Sequence, residues 1–294
     1  MEKQKVWAVA EILNKTAEYL GEKGLENPRL NAEVMLGHVL GLKRIDLYLN
    51  HDRPLHDREL SALRALVKRR LAGCPLQYLM GETEFFSLSF QVSPAVLIPR
   101  PETEVLLEVV LERLRPLVPP LKVADLGTGS GVIAISLAVH LPGAHLWATD
   151  RSLEALKLAR RNAQKHGVAG RILFTQGDLF DPLRGREGAF AAVVSNPPYV
   201  RSGQLESLPR EIRLYEPLMA LDGGPDGLEV IRRVVAEAPP FLAKDGILAL
   251  EVGAGQAPSA GKLMVETGAF GEPRVIKDYA GVERVVVVQR TPGR

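Results

Sequence analysis

The sequence predicts an α/β protein with a doubly wound, mostly parallel sheet, preceded by a small all-α domain. Short apolar runs alternate with helical periodicity from residue 121 onward, and a glycine-rich turn follows the first run, which together predict the sheet. Leucines at helical spacing and few β-branched runs over the first seventy or so residues predict the helical domain. A chain of 294 residues is long enough for both.

The helical region is predicted to span residues 1–77, with Leu60, Leu63 and Val67 on one helix face. Residues 83–98 alternate and carry aromatic side chains, which predicts a β-hairpin. The linker that contains this hairpin is predicted to span residues 78–103 and to join the two domains. Residues 104–294 are predicted to form the α/β domain. A helix is expected near its start, from Glu102 to about residue 115, because acidic residues in the first turn suit the helix dipole.

Apolar runs predict the strands of the α/β domain. Two final runs, near residues 275–276 and 285–288, are separated by a glycine-containing turn and no helix, so they are expected to form a hairpin. The preceding runs are predicted to be parallel strands, and they lie at 123–126, 146–148, 172–174, 191–194 and 247–250.

Composition and charge exclude several classes of protein. Hydrophobic residues make up 46% and charged residues 24% of the chain, which is typical of a folded protein. The net charge of +2 argues against a protein that mainly grips nucleic acid, so no direct nucleic-acid partner is expected. The single cysteine, Cys74, excludes an internal disulfide and a cysteine-based zinc cluster, and no metal is expected. Without a signal peptide or an apolar span, the protein is expected to be cytoplasmic and to contact no membrane.

One dense basic patch stands out in the helical region, and it consists of Arg64, Lys68, Arg69 and Arg70. A solvated helix face is the expected explanation of this patch. A surface that docks a partner is the alternative.

A glycine-rich turn, Gly127-Thr128-Gly129-Ser130-Gly131, follows the first predicted strand and opens a helix. A phosphate-binding P-loop would need a lysine here, and the third glycine comes one residue too early for a dinucleotide fingerprint. Alternating glycines after an acidic residue, here Asp125, are the pattern of enzymes that use S-adenosylmethionine. A tight turn without a ligand is the alternative.

Polar residues also follow the second and third predicted strands. Asp150 ends the second strand, where a carboxylate can accept hydrogen bonds from both hydroxyls of a ribose. This position does not separate NAD from S-adenosylmethionine, and Asp150 could also cap the next helix. After the third strand, Asp178 could accept from an adenine amine and Leu179 could cover a ring face, although a turn explains such an aspartate equally well.

The segment Asn196-Pro197-Pro198-Tyr199 follows the fourth strand, at the sheet edge where open α/β folds bind ligands. The prolines remove two N–H donors, which leaves the Asn196 side-chain oxygen and the Pro197 carbonyl as acceptors beside the flat face of Tyr199. Such a site suits a planar NH₂ group on an sp² carbon. Because its lone pair is delocalised, that nitrogen needs acceptors that raise its electron density and aim it at a sulfonium methyl. A proline-stiffened loop is the alternative.

In these motifs the chain resembles the HemK-type protein-(glutamine-N5) methyltransferases, and most of all the branch that methylates peptide chain release factors. The resemblance covers essentially the whole chain. Its further motifs are GCPLQYLMG at 73–81, LIPRPETE at 97–104, EP at 216–217 and ALDGGPDGL at 220–228.

The resemblance implies a class I S-adenosylmethionine-dependent methyltransferase, Rossmann-like, with a seven-stranded sheet. It implies that 1–77 helps to dock class 1 release factors and that 104–294 is catalytic. The residues implied to bind the glutamine of the partner's Gly-Gly-Gln loop and to act in catalysis are Asn196, Pro197, Pro198 and Tyr199. Those implied to bind S-adenosylmethionine are Gly127, Thr128, Gly129, Ser130, Gly131, Asp150, Asp178, Leu179 and Asn196.

Three other functions fit part of the pattern. N6-adenine DNA methyltransferases use the same Asn-Pro-Pro-Tyr chemistry, but they usually carry a target-recognition domain, and none is evident here. Ribosomal-protein glutamine methyltransferases share the fold and the motif, yet their sequence resembles P-R-S-P-I-A-E where this chain has Pro-Arg-Pro-Glu-Thr-Glu at 99–104. A module that only binds its partner is the third, and the intact motifs speak against it.

Overall fold

The computed structural model of the protein describes residues 7–291, which separate into two compact units. The first unit comprises the chain up to Gly81 together with Arg210–Tyr215, and the second comprises Glu82–Pro209 and the chain from Glu216 onward. The predicted hairpin region from Glu82 onward thus belongs to the second unit, and the short segment Arg210–Tyr215 belongs to the first. The functional division at residues 77 and 103 stays a prediction.

The helices of the described residues agree with the helical periodicity of the sequence. In the first unit, Leu13 and Leu20 are buried on one face of the first helix, and the second helix begins at Pro28, where a missing N–H costs nothing. The prediction of a helical N-terminal region is confirmed. No helix within residues 7–291 is long and apolar enough to cross a membrane. The helices are α1 (Val9–Glu22), α2 (Pro28–Leu40), α3 (Arg44–Leu49), α4 (Asp57–Leu71), α5 (Leu76–Met80), α6 (Glu102–Leu114), α7 (Val132–His140), α8 (Leu153–Lys165), α9 (Arg210–Tyr215), α10 (Glu229–Phe241) and α11 (Ala257–Glu266).

One residue of the basic patch on α4 is not on a solvated face. Arg70 is buried, and its Nε donates to the Asn31 Oδ1 at 2.7 Å while its Nη1 donates to the Cys74 carbonyl at 3.2 Å. Its Nη2 pairs with a Glu211 carboxylate oxygen of α9 at 2.7 Å. Arg70 therefore joins α2, α4 and α9 inside the first unit, and the prediction of an exposed patch is wrong for this residue. The other three basic residues, Arg64, Lys68 and Arg69, are exposed.

Replacing Arg70 with leucine is expected to lower the free energy of unfolding by about 2 kcal/mol, because hydrogen bonds to a charged group are lost and buried acceptors are left unpaired. Urea unfolding measures the change. The control is Arg69→Leu, an exposed neighbour on the same helix, for which we expect a change within about 0.5 kcal/mol. Equal effects of the two substitutions would contradict a structural role for Arg70.

The strands of the second unit form a two-stranded hairpin and a seven-stranded sheet. The sheet order is β5-β4-β3-β6-β7-β9-β8, and all neighbouring pairs from β5 to β7 are parallel. The last strand runs antiparallel to both of its neighbours, so the predicted terminal hairpin and the predicted fold class are confirmed. The strands are β1 (Glu82–Phe85), β2 (Leu88–Gln91), β3 (Leu121–Leu126), β4 (Ala144–Asp150), β5 (Ile172–Gln176), β6 (Phe190–Ser195), β7 (Leu242–Glu251), β8 (Arg274–Lys277) and β9 (Glu283–Gln289).

Two core layers cover the faces of this sheet. One layer contains buried residues of α6, α7 and α8, and the other contains buried residues of α10 and α11. From β3 the chain proceeds outward to β4 and β5 and then returns to β6 on the other side of β3. This reversal makes the carboxyl ends of β3 and β6 a topological switch point, where open α/β sheets bind their ligands.

Candidate active site

A cleft of about 460 Å³ opens at this switch point, which is within the size range of small-molecule sites. Loops that follow β3, β4, β5 and β6 line it, together with residues of the segments 95–103 and 217–222 and of α10. Three predicted site residues, Gly131, Pro197 and Tyr199, are not part of the lining. The predicted residues that do line the cleft are Gly127, Thr128, Gly129, Ser130, Asp150, Asp178, Leu179, Asn196 and Pro198.

The glycine turn serves two purposes. Gly127 and Gly129 have φ values of +69° and +55°, and a Cβ on either residue would meet no atom within 4 Å, so this part of the turn faces open space. Gly131 differs, because a Cβ there would lie 2.8 Å from the Ile135 Cδ1 and 3.1 Å from the Ala159 Cβ. The third glycine therefore allows α7 and α8 to pack closely, which gives it a structural role, and its contact with a cofactor stays a prediction.

Asp150 lies beside the glycine turn at the end of β4. Its Oδ2 accepts from the Gly129 N–H at 2.9 Å, and its Oδ1 accepts from the Ser152 N–H at 2.8 Å. Burial raises the pKa of Asp150, and these backbone donors oppose the rise. The cap of α8 is Ser152, whose hydroxyl accepts from the Ala155 N–H, so the alternative that Asp150 caps this helix is wrong. A fixed carboxylate therefore stands in the cleft.

Asp178 and Leu179 form the wall that follows β5. The Asp178 Oδ2 accepts from the Arg233 Nη2 at 2.9 Å, and its Oδ1 lies 4.0 Å from the Arg151 Nε. Leu179 is 9% exposed, and its carbonyl accepts from the Thr149 hydroxyl at 3.0 Å. The two arginines also line the cleft and came from no sequence motif, so the charge of Asp178 is compensated in a way that the sequence did not indicate.

The Asn-Pro-Pro-Tyr segment presents Asn196 and Pro198 to the cleft. The Asn196 Nδ2 donates to the Thr103 hydroxyl oxygen at 3.0 Å, which leaves the Oδ1 as the acceptor of this side chain. Tyr199 points its hydroxyl away from the lining, toward the Glu251 Oε1 at 3.3 Å. This hydrogen bond anchors Tyr199 to β7, and the role of its flat face beside a ligand stays a prediction.

Glu251 is a buried carboxyl group that the sequence analysis missed. It ends β7, is 0% exposed, and its Oε2 accepts from the Thr103 hydroxyl at 2.6 Å. Burial is the main reason why its pKa rises to about 7. A signal was present in the sequence, because Glu251 directly follows the apolar run 247–250 and ionisable residues at the carboxyl end of a buried strand face the ligand edge of the sheet.

An ion pair joins two further walls of the cleft. The Arg100 Nη2 lies 2.5 Å from the Glu216 Oε1, and the Glu216 Oε2 accepts from the Ile98 N–H at 3.2 Å. Glu216 is buried, although it precedes the exposed Leu218 by only two residues. The two sequence motifs that contain Arg100 and Glu216 thus meet in space, and they hold the segments 95–103 and 217–222 together.

Asp125 is the second buried carboxyl group with a strongly raised pKa. Its Oδ2 accepts from the Thr128 hydroxyl at 2.6 Å and from the Ala134 N–H at 3.1 Å, whereas its Oδ1 has no partner within residues 7–291. Burial is the main cause that raises its pKa to about 7, and the nearby charge of Asp150 adds to the rise.

The raised pKa of Asp125 predicts a pH dependence of stability. Between about pH 5 and pH 7 the folded protein keeps a proton that the unfolded chain releases, so the free energy of unfolding falls as the pH rises through this window. We expect a slope of about 1 kcal/mol per pH unit from this one group. Urea unfolding of the wild type and of Asp125→Asn between about pH 5 and pH 7 isolates the contribution of Asp125, since the variant has no carboxyl group at this position. Identical pH slopes for the two proteins would contradict the assignment.

The chemistry of the cleft fits a nucleoside cofactor that carries no phosphate. Asp150 supplies acceptors suited to a ribose diol, and its negative charge would repel a phosphate group next to the glycine turn. Leu179 supplies an apolar surface for a planar base. These residues fit S-adenosylmethionine. Within residues 7–291, no cluster of three or more histidine, cysteine, aspartate or glutamate side chains could hold a metal ion.

The fold and this cleft define a class I S-adenosylmethionine-dependent methyltransferase. The same fold occurs in the methyltransferase of Pyrococcus furiosus, with a TM-score of 0.51 and 19% identity over 71% of this chain and 91% of that chain. Family models for the PrmC N-terminal domain and for the methyltransferase small domain match residues 11–81 and 101–211.

Sequence comparison specifies the family. The release factor glutamine methyltransferase of Geobacter sulfurreducens is 45% identical over 97% of this chain and 98% of its own length. That of Chlorobaculum tepidum is 43% identical, with the same coverage of both chains. The chain belongs to the release factor glutamine methyltransferase family.

Proposed function

We propose that this protein transfers a methyl group from S-adenosylmethionine to the side-chain amide nitrogen, N5, of the glutamine in the Gly-Gly-Gln motif of class 1 peptide chain release factors. The observation that carries the proposal is the position of Asn196. Its side chain lines the same cleft as the glycine turn and Asp150, and its donor nitrogen is already used by Thr103. An acceptor oxygen of this side chain is therefore available in the cleft that would hold the methyl donor.

The residues near β3, β4 and β5 are proposed to hold the cofactor. Asp150 accepts from the ribose hydroxyls, and the segment 127–130 allows close approach of the backbone. Leu179 covers the adenine. Asp178 accepts from the adenine amine through carboxylate lone pairs that its contacts with Arg151 and Arg233 do not use. Bound there, S-adenosylmethionine supplies a methyl group on a positively charged sulfur, which a nucleophile can attack in line.

The acceptor end of the cleft is proposed to activate the glutamine amide. The Asn196 Oδ1 accepts one N–H of the amide. The carbonyl of Pro197, which lies between the lining residues Asn196 and Pro198 in the sequence, accepts the other. Electron density therefore returns to the amide nitrogen, which is aimed at the methyl carbon. The nitrogen–carbon bond forms as the carbon–sulfur bond breaks, the bonding pair stays on sulfur, and the nitrogen loses one proton to solvent. Pro198 limits the space around the amide, and Tyr199 holds the segment rigid from behind.

The partner and the location follow from this reaction. A release factor is a large protein, and we propose that the helical first unit supplies additional contact surface for it, including exposed Arg64, Lys68 and Arg69. Release factors act where translation terminates, so the protein is proposed to work in the cytoplasm. Nucleic acid is not proposed as a substrate.

A panel of acceptors tests the proposal. Purified protein and methyl-labelled S-adenosylmethionine are incubated separately with a release factor, a ribosomal protein and duplex DNA, and the label on each acceptor is counted. We expect label on the release factor alone and none on a release factor whose Gly-Gly-Gln glutamine is replaced by alanine. Label on DNA or on the ribosomal protein alone would leave the methyltransferase class intact and overturn the proposed substrate.

A further inference from the structure

Glu251 is a buried carboxyl group that does not line the cleft, yet both of its oxygens bind side chains next to the proposed acceptor site. Its Oε2 accepts from the Thr103 hydroxyl at 2.6 Å, and its Oε1 accepts from the Tyr199 hydroxyl at 3.3 Å. No salt bridge connects it to a basic side chain within the described part of the chain; Arg284, the nearby cation, pairs with Asp278 at 3.1 Å. Burial of a carboxyl group without an ion pair costs free energy of folding. A functional reason for its position is therefore expected.

The single proton of Thr103 determines the orientation of Asn196. A hydroxyl group has one proton to donate, and the Thr103 proton points to the Glu251 carboxylate. Toward Asn196, Thr103 can then only accept, so the Asn196 amide must turn its Nδ2 to Thr103. Its Oδ1 is then left as the acceptor of this side chain, which lines the cleft.

We propose that Glu251 is a positioning residue for methyl transfer, acting through Thr103 to keep the oxygen of Asn196 directed at the acceptor nitrogen. This inference rests on the proposed function for the identity of the acceptor. It goes further because Glu251 lies outside the lining of the cleft, and because it gives Thr103 a defined role as the link between Glu251 and Asn196.

Protonation of Glu251 would remove the constraint on the orientation of the Asn196 amide. A neutral carboxyl group donates a proton itself, which frees the Thr103 proton to turn toward Asn196 and lets the amide flip. Burial raises the pKa of Glu251 to about 7, and the charge of Glu102 adds to the rise. The hydrogen bonds from the Thr103 and Tyr199 hydroxyl groups and the charge of Arg284 oppose it. Methyl transfer is therefore expected to slow as the pH falls below about 7.

Substitutions on the three-residue path provide the test. Glu251→Gln and Thr103→Val keep the shape of each side chain and are expected to lower kcat roughly 10- to 100-fold, with little change in the KM for S-adenosylmethionine. Thr103→Ser keeps the hydroxyl and is expected to restore most of the rate. The control is Ser136→Ala on α7, which removes a buried hydroxyl that has no hydrogen-bond partner among the described residues and should leave kcat unchanged.

The pH profile separates positioning from a general loss of structure. The activity of the wild type is expected to fall as the pH drops below about 7. In Glu251→Gln the part of this fall that is due to Glu251 is expected to be absent, whereas any part due to Asp125 remains. If Glu251→Gln and Thr103→Val match Ser136→Ala in rate and keep the wild-type profile, the inference is overturned while the proposed function stands.

A spectroscopic readout makes the inference independent of the substrate. The side-chain amide resonances of Asn196, assigned by comparison with Asn196→Ala, are followed with pH in the protein without ligands. We expect them to titrate near pH 7 in wild type and to stay constant in Glu251→Gln. If the wild type leaves the release factor unmodified, the proposed function fails, but the resonances still test the coupling of Glu251 to Asn196. Resonances that stay constant with pH in the wild type would overturn this coupling.

Discussion

Replacing Asn196 with alanine is expected to lower kcat about 100- to 1,000-fold, which is the loss that follows removal of one positioned hydrogen-bonding group at a reacting centre. The variant loses the acceptor that is proposed to hold one N–H of the glutamine amide, so the nitrogen is less nucleophilic and less well aimed. The fold should survive, since Asn196 is only half-buried and its side chain makes one hydrogen bond within residues 7–291, to Thr103. Single-turnover transfer of labelled methyl measures the effect.

The affinity for the release factor should change little in this variant, because most of a protein–protein interface lies outside one side chain. Asn50→Ala is a matched control, since it removes an amide side chain from an exposed position in the first unit. A turnover of Asn196→Ala close to that of Asn50→Ala would show that the Asn196 oxygen does not act on the acceptor.

Replacing Asp150 with alanine is expected to weaken binding of S-adenosylmethionine about 100-fold. Two hydrogen bonds from ribose hydroxyls to a charged group are together worth about 3 kcal/mol, which corresponds to this factor. The substitution also removes the acceptor that fixes the Gly129 and Ser152 N–H groups, so the cofactor site loses part of its shape. Isothermal titration calorimetry measures the dissociation constant directly.

Two control variants sharpen this experiment. Asp181→Ala removes an exposed aspartate that pairs with Arg184 and lies outside the lining of the cleft, so it should leave the dissociation constant unchanged. Asp150→Asn keeps the shape and one acceptor oxygen, and an intermediate loss is expected. An unchanged affinity in Asp150→Ala would remove the ribose assignment, whatever the effect on turnover.

The fold could be predicted from the sequence because its signals are local. Apolar runs and helical periodicity located β3 to β7, and a glycine turn in place of a helix correctly predicted the antiparallel end of the sheet. Arg70 shows the limit of such patterns. Its neighbours on α4 are exposed, and only Asn31, 39 residues away, and α9 reveal that it is buried.

Part of the site could also be predicted, because the positions of its loops follow from the order of the strands. Loops that follow parallel strands must meet at one edge, so Asp150 and Asn196 reached the cleft as expected. Side-chain direction could not be predicted in this way, since Tyr199 turns toward Glu251, 52 residues away in the sequence. The partner of Asn196 is Thr103, at a separation of 93 residues, and no periodicity connects the two.

The central claim is that this cleft methylates the amide nitrogen of one glutamine in a release factor. The most direct test is tandem mass spectrometry of a release factor after incubation with the purified protein and isotopically labelled S-adenosylmethionine. We predict a single labelled methyl group on the side-chain nitrogen of the Gly-Gly-Gln glutamine. A release factor that carries no label, or carries it on any other residue, would contradict the claim.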